Sequence, residues 1–88
     1  MTIKFHKKFL KDLASIPSTD RIPIEQFVFV EIQKYDTIYT AKRFEQMKGY
    51  NAYFKIRFGN YRAGVKYEND TLTFERVLHR KEIYRFFP

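Results

Sequence analysis

The apolar residues change their spacing near the middle of the chain, from helical intervals to strict alternation. At the N-terminus, Ile3 and Phe5 alternate with polar residues and predict a short strand near Thr2–Phe5. His6 then stands where a helix would start. Helical spacing follows, and Pro17 is expected to end this helix, whose apolar stripe is Phe9, Leu10, Leu13 and Ile16.

A second helix is predicted after a turn at Ser18-Thr19-Asp20. Pro23 suits a first helical turn, so we expect the helix to begin near it and to fade by about Asp36. Its buried stripe would be Phe27, Val28, Ile32 and Tyr35. The stretch 37–49 is ambiguous, since Ala41–Met47 fits a helical turn or a loop.

From Ala52 onward the apolar residues recur at every second position, which is typical of strands. A first strand ends at the two-residue hairpin loop Gly59-Asn60, where glycine can supply a positive φ. Tyr61–Tyr67 is the returning strand and, after a turn at Asn69-Asp70, Thr71–Leu78 is the last. His79–Phe87 is expected to close the chain as one helical turn.

These elements predict an α+β fold in a single domain, residues 1–88, because a chain this short has no room for a second core. Hairpin connections make the sheet mainly antiparallel. The N-terminal strand and the two-helix hairpin would pack on one face of the sheet and leave the other face uncovered. The covered face would be built from Phe54, Ile56, Phe58, Val65, Leu72 and Phe74.

The hairpin loop also fixes the side chains of the other face. A two-residue loop pairs Arg57 with Arg62, Lys55 with Gly64, and Tyr53 with Lys66, and paired residues share a face. The two arginines should repel each other unless an anion or an acidic group lies between them. Gly64 would leave a gap that another backbone could approach. These two strands place no acid on this face, and Glu75 of the last strand is expected to be the nearest.

Charge supports an anionic partner. Residues 1–41 carry six Lys/Arg and five Asp/Glu, whereas residues 42–88 carry eleven and five. A basic half suggests nucleic acid, an anionic membrane or an acidic protein, although a solvated sheet face is also often basic. There is no Cys, no apolar run of the roughly 20 residues that a membrane span needs, and no signal-peptide pattern. We therefore expect a cytoplasmic protein without a membrane partner.

If the protein is a nuclease, the residue types require it to work without a metal or another cofactor, which is feasible on RNA. The acids are scattered and form no carboxylate cluster, and no phosphate-binding glycine loop or serine or cysteine nucleophile motif is apparent. RNA carries its own nucleophile, the 2′-hydroxyl, so a protein need only orient it, move protons and stabilise the phosphate charge. Arginine suits the last task. In the C-terminal segment, Arg80 and Tyr84 are four apart and would share one side of a helical turn.

The motif Lys55-Ile56-Arg57-x-Gly59-x-Tyr61-Arg62, followed by His79-Arg80-Lys81-Glu82-Ile83-Tyr84, resembles the RelE/ParE superfamily of type II toxin–antitoxin toxins. The similarity covers most of the chain. It implies a ribosome-dependent endoribonuclease (an mRNA interferase) of the RelE-like branch that inhibits translation. The implied partners are mRNA, the ribosome around the 16S rRNA of its A site, and a cognate antitoxin.

The resemblance also implies roles for residues. Lys55, Arg62, Arg80 and Tyr84 match the catalytic positions of the family, with Arg62 stabilising the phosphate. The substrate-binding positions would be Tyr53, Arg57, Lys66, His79 and Lys81. Tyr53 departs from the family pattern, where a second lysine is known, so the general base stays open among Lys55, His79 and Tyr84. The charges of Arg57 and Arg62 would favour the neutral amine of Lys55.

Two alternatives remain at this stage. ParE-like members share the fold but inhibit DNA gyrase and lack the catalytic set. A non-catalytic domain that stacks bases on strand aromatics is the other, although Tyr53 is the only aromatic residue expected on the polar face of the two paired strands.

Overall fold

Five strands form one sheet, with the N-terminal helices packed on one of its faces and a short C-terminal helix on the other. The computed structural model describes all 88 residues. The sheet order is β1-β5-β4-β3-β2, with β1 parallel to β5 and every other pair antiparallel, which confirms the predicted α+β class and mainly antiparallel sheet. The elements are β1 (Thr2–Phe5), α1 (Lys7–Ala14), α2 (Ser18–Glu25), α3 (Ile38–Ala41), β2 (Glu45–Gln46), β3 (Tyr53–Phe58), β4 (Tyr61–Glu68), β5 (Thr71–His79) and α4 (Ile83–Phe86).

Helix α1 begins at its predicted histidine. The His6 Nδ1 atom accepts a hydrogen bond from the backbone N–H of Lys8 at 3.0 Å, which satisfies one of the free N–H groups of the first turn. Phe9, Leu13 and Ile16 are buried as expected. Leu10 is 44% exposed, so its assignment to the buried stripe was wrong. Only one side of each helical turn faces the sheet, and Leu10 lies on the side that faces solvent.

Helix α2 begins at Ser18 rather than near Pro23, so the predicted turn at 18–20 is its first helical turn. Pro23 lies inside the helix, where it has no N–H to donate to a preceding carbonyl. Burial of Ile24 and Phe27 against the sheet stabilises the helix across this point. The helix continues through a π-helical stretch, Gln26–Val30, and a 3₁₀ turn, Glu31–Lys34.

The ambiguous stretch 37–49 contains both a short helix and a strand. Thr37 caps α3, because its Oγ1 atom accepts from the N–H of Thr40 at 3.4 Å. Lys42 then adopts a left-handed backbone, φ 56°, which ends the helix. The two-residue strand β2 follows and pairs with β3, and it was not predicted.

The predicted hairpin is confirmed residue by residue. Phe58 pairs with Tyr61, Arg57 with Arg62, and Lys55 with Gly64. Gly59 has the expected positive φ, 59°. The second turn is also confirmed, with φ of 53° at Asn69 and 55° at Asp70, the two positive values that a tight hairpin turn requires.

The main core, defined here as a cluster of 15 buried apolar residues, lies between the helices and the sheet. Phe74 is fully buried, and its ring centroid lies 5.3 Å from those of both Phe5 and Phe9. The covered-face residues predicted from sequence are buried except Phe58, which is partly exposed. The Arg43 guanidinium covers the Phe58 ring at 4.8 Å, so a cation–π contact completes its packing.

An ion pair fixes α1 against β5. Asp12 accepts from Nε and Nη2 of Arg76, at 2.7 and 3.1 Å, and from the backbone N–H of Val77 at 3.2 Å. The hydrogen bond from Arg76 to Asp12 raises the pKa of the guanidinium above its usual value. None of the helices has the length and apolar composition that crossing a membrane requires.

Candidate active site on the open sheet face

The sheet face away from α1 and α2 is called here the open face. The register places on it the side chains predicted from sequence, namely Tyr53, Lys55, Arg57, Arg62 and Lys66, together with Gly64. Lys55 and Arg62 are diagonal neighbours on adjacent strands, which sets their Cβ atoms on the order of 7 Å apart.

Two of these cations are paired with acids. Glu45 of β2 reaches Arg57, with Oε1 3.0 Å from Nε, so the repulsion expected between Arg57 and Arg62 is relieved by an acid. Glu75 was expected to be the nearest acid, with none on β3 and β4, and both expectations were wrong because β2 was not foreseen and because β4 extends to Glu68. Lys66 binds Glu68 at 3.1 Å, and this hydrogen bond, followed by the charge of Glu68, raises the pKa of Lys66.

Arg62 has only neutral partners. Its Nη1 atom donates to the carbonyl oxygens of Gly59 at 2.7 Å and Tyr61 at 3.0 Å, and its other donors bind nothing in the chain. The backbone N–H of Arg80 donates to the Asn60 carbonyl at 2.7 Å, and the residue is exposed. The same two-residue loop therefore orients the Arg62 guanidinium and fixes the backbone of Arg80.

Lys55 and Tyr84 meet across the open face. The Lys55 Nζ atom lies 2.5 Å from the Tyr84 hydroxyl oxygen and 5.0 Å from the centroid of its ring. Tyr84 is 59% exposed, and neither side chain contacts an acid. This hydrogen bond links α4 to β3 and brings together two of the four predicted catalytic residues.

Helix α4 is held on the open face by a small apolar cluster, called here the anchor cluster: Met47, Ile83 and Phe87. The Phe87 ring lies over Gly64 so closely that a Cβ at Gly64 would be 2.4 Å from the Phe87 Cδ2 atom. The gap predicted at Gly64 therefore exists, but an aromatic ring of the same chain fills it. The expectation that another backbone could approach there was wrong.

The structure separates His79 from the other predicted site residues. His79 pairs with Tyr61, and this register places it on the helix-covered side of the sheet. Its Nδ1 atom accepts from the backbone N–H of Lys81 at 3.2 Å, and the Lys81 side chain is exposed. Tyr53 lies on the open face, where its ring meets the Phe87 ring edge-on at 5.5 Å.

Comparison with known proteins decides the family. No protein-family model matches the chain. It is 42% identical over 89 residues to Toxin RelE3 of Methanocaldococcus jannaschii, and the alignment covers all of both chains. The chain belongs to the RelE toxin family. This RelE-family chain is thus a toxin of the type II toxin–antitoxin class, as the resemblance implied.

Solved structures agree with this assignment. The RelE-family toxin is similar to a chain in the RelB–RelE antitoxin–toxin complex from Methanococcus jannaschii, at 41% identity, with a TM-score of 0.79 and coverage of 97% and 99% of the two chains. The isolated RelE toxin of E. coli is 16% identical, with a TM-score of 0.67 and 98% of each chain covered, which supports the fold alone.

Sequence patterns missed two residues that shape the site of this RelE-family toxin. Glu45 was missed because two residues cannot show alternation. Phe87 was predicted only as the end of the closing helical turn 79–87, with no contact assigned to it. Gly64 was the available indication, since a glycine amid a strand often marks a close approach. Nowhere in the chain do three His, Asp or Glu side chains group as metal ligands would.

Proposed function

We propose that this RelE-family toxin is a ribosome-dependent endoribonuclease that cleaves mRNA in the cytoplasm and so inhibits translation. One observation carries the proposal: Lys55 and Arg62 have no acidic partner and lie on the open face with the Tyr84 hydroxyl, and Arg80, also without an acidic partner, follows the last strand beside the Gly59-Asn60 loop. Arg57 and Lys66, in contrast, are neutralised by Glu45 and Glu68. On the open face, the positive charge without an acidic partner therefore lies around Tyr84 and the Gly59-Asn60 loop.

The proposed reaction uses the RNA as its own nucleophile. The 2′-hydroxyl loses its proton to a base and attacks the adjacent phosphorus, and the 5′-oxygen leaves with a proton from an acid. Arg62 suits the phosphate because its free donors form a planar fork and its neutral partners leave its charge available. Arg80 adds a second positive charge.

Lys55 and Tyr84 are the proton-transfer pair that the geometry supports best. Their direct hydrogen bond gives a path along which a proton can pass between nitrogen and oxygen. Which of the two takes the proton of the 2′-hydroxyl stays open. His79 is less well placed for this role, since its register puts it on the covered side.

The ribosome would supply what an open sheet lacks. In-line attack requires the 2′-oxygen, phosphorus and leaving oxygen to be aligned, and a flexible RNA strand on a flat face samples many other arrangements. A ribosome that holds the message in its A site, near 16S rRNA, would provide this alignment. We therefore expect cleavage of translated mRNA and little cleavage of free RNA.

A cognate antitoxin is the proposed protein partner. The similar Methanococcus jannaschii chain occurs in an antitoxin–toxin complex. For this chain, an acidic antitoxin segment would compete with RNA for the unpaired cations of the open face.

Primer extension on a translated message in a bacterial host tests the catalytic proposal. We expect Arg62→Ala to lower cleavage about 100-fold, because loss of one donor to a developing phosphate charge typically costs that much. Tyr84→Phe should lower cleavage if the hydroxyl moves a proton. Arg21→Ala is the matched control, since Arg21 lies on the helix-covered side and should leave cleavage unchanged.

Other outcomes separate the alternatives. Wild-type cleavage by both folded site variants would show that the site is wrong. Loss of plasmid supercoiling with an intact message would support gyrase inhibition instead. RNA binding without either effect would support a non-catalytic domain. For the antitoxin, the product of the neighbouring reading frame should co-purify with the toxin and restore growth, and failure of both would contradict that part.

A further inference from the structure

A recess beside the Lys55–Tyr84 pair is lined by two residues, Lys48 and Tyr50, that the proposed reaction does not use. Its buried members are Met47 and Phe87, and its exposed members include Tyr50, which is 47% exposed. No Asp or Glu lines it, whereas two lysines do. The lining side chains on which the argument depends are Met47, Lys48, Tyr50, Lys55, Tyr84 and Phe87.

The loop that presents Tyr50 is held in place by hydrogen bonds. The N–H of Tyr50 donates to the Met47 carbonyl at 3.1 Å, and the Tyr50 carbonyl accepts from Nε2 of Gln46 at 2.9 Å. Gly49 supplies the positive φ, 86°, that closes this turn. The position of Tyr50 is therefore set by the loop before any ligand arrives.

The Tyr50 ring is also supported from one side. It meets the Tyr53 ring edge-on, with centroids 5.7 Å apart and planes at 90°. Tyr53 in turn meets Phe87 edge-on. An aromatic ring supported at its edge and half exposed on a fixed loop offers a face for stacking at little cost in conformational entropy.

We propose that Tyr50 and Lys48 form a nucleotide subsite next to the cleavage site, in which one RNA base stacks on Tyr50 and its phosphate binds Lys48. The inference rests on the proposed function for the identity of the ligand as the RNA substrate. Aromatic faces and cations without nearby acids are the combination that binds single-stranded RNA. The subsite extends the substrate contact from Tyr84 to the β2–β3 loop.

A binding experiment tests the subsite without requiring cleavage. The probe is an RNA trinucleotide with 2-aminopurine at its centre and 2′-O-methyl groups on all riboses, which removes the nucleophile. Stacking on wild-type toxin should quench its fluorescence. Tyr50→Ala should weaken binding about tenfold, and Tyr50→Phe should retain it, because the ring and not the hydroxyl stacks.

Tyr39→Ala is the matched control. Tyr39 is a 67% exposed tyrosine that also packs edge-on against other aromatics, Phe54 and Tyr67, but it belongs to α3 and does not line the recess. The Tyr39→Ala variant should bind the probe with the same affinity as the wild type. Lys48→Ala should reduce the slope of log affinity against log salt by about 0.7, as expected for one lost phosphate contact.

The outcomes distinguish this inference from the proposed function. Equal probe binding and quenching by wild type and Tyr50→Ala, or no quenching by wild type, would overturn the subsite even if mRNA is cleaved. Quenching that depends on Tyr50 in a protein that cleaves no translated message would retain the subsite and overturn the endoribonuclease. If both hold, Tyr50→Ala should also flatten the base preference at one position beside the cut.

Discussion

The main core and the anchor cluster are two apolar regions on opposite faces of the same sheet, and they differ in how they are built. The main core draws 15 buried residues from both helices and strands. The anchor cluster has three, and it holds α4 through a ring that lies against a glycine. The first determines whether the chain folds, whereas the second determines where Tyr84 lies. Fold and site should therefore be separable by substitution.

The largest effect is expected in the main core. Phe74→Ala should lower the free energy of unfolding by about 3–5 kcal/mol, because it removes a fully buried ring and leaves a cavity beside Phe5 and Phe9. Urea denaturation measures this change. Phe86→Ala is the control, since Phe86 is 51% exposed and should cost far less. Similar losses for the two variants would contradict the assignment of Phe74 to a main core that stabilises the fold.

Gly64→Ala should separate site from fold. Its methyl group would overlap the Phe87 ring, so the ring must move, at a cost of about 1–3 kcal/mol. Displacing Phe87 should shift α4 and break the Lys55–Tyr84 hydrogen bond. Cleavage of a translated message should therefore be lost while most of the protein stays folded. Wild-type cleavage by folded Gly64→Ala protein would show that the anchor cluster does not position Tyr84.

A double-mutant cycle makes this test specific. Gly64→Ala and Phe87→Ala should cost less together than the sum of the single variants, because removing the ring removes the overlap. Gly49→Ala serves as the control glycine. A Cβ there meets nothing within 4 Å, so its cost comes from the positive φ and should add independently to that of Phe87→Ala.

The smallest expected effect is a loss of stability at high pH that arises from Tyr67 on the helix-covered face. Burial, followed by the charge of Asp70, raises the pKa of Tyr67 above the ordinary value of 10.0. The stabilising contribution of the neutral phenol is therefore complete below pH 10 and is lost as pH rises through the folded-state pKa. Urea midpoints at neutral pH and above pH 10 should show a smaller loss for Tyr67→Phe than for wild type. An equal loss would contradict the assignment to Tyr67.

Local patterns predicted those parts of the fold that depend on neighbouring residues. Gly59-Asn60 fixed the register, and with it the face shared by Lys55, Arg57 and Arg62, because a two-residue loop permits one pairing. The start of α2 was missed because Pro23 resembles a helix start, although packing carries the helix through it. Strand β2 has only two residues, which is too few to show an alternating pattern, so neither the strand nor the role of Glu45 was predicted.

The sequence predicted which charged residues share the open face, but not how α4 packs on that face. Which aromatic ring would occupy the space above Gly64 depends on how α4 docks, a contact between residues distant in sequence. The hydrogen bond between Lys55 and Tyr84 follows from the same docking. The catalytic and substrate-binding roles of the residues stay predictions until the variants are measured.

The parallel pairing of β1 with β5 has a consequence for the order of folding. Strands β3, β4 and β5 are joined by tight turns and can pair as soon as they meet, whereas β1 must wait for a partner from the other end of the chain. During synthesis, Phe5 and Phe9 therefore have no Phe74 to pack against until β5 has left the exit tunnel. A nascent chain that stalls before that point has no closed main core outside the ribosome, and its Tyr84 has not yet reached Lys55 on the open face.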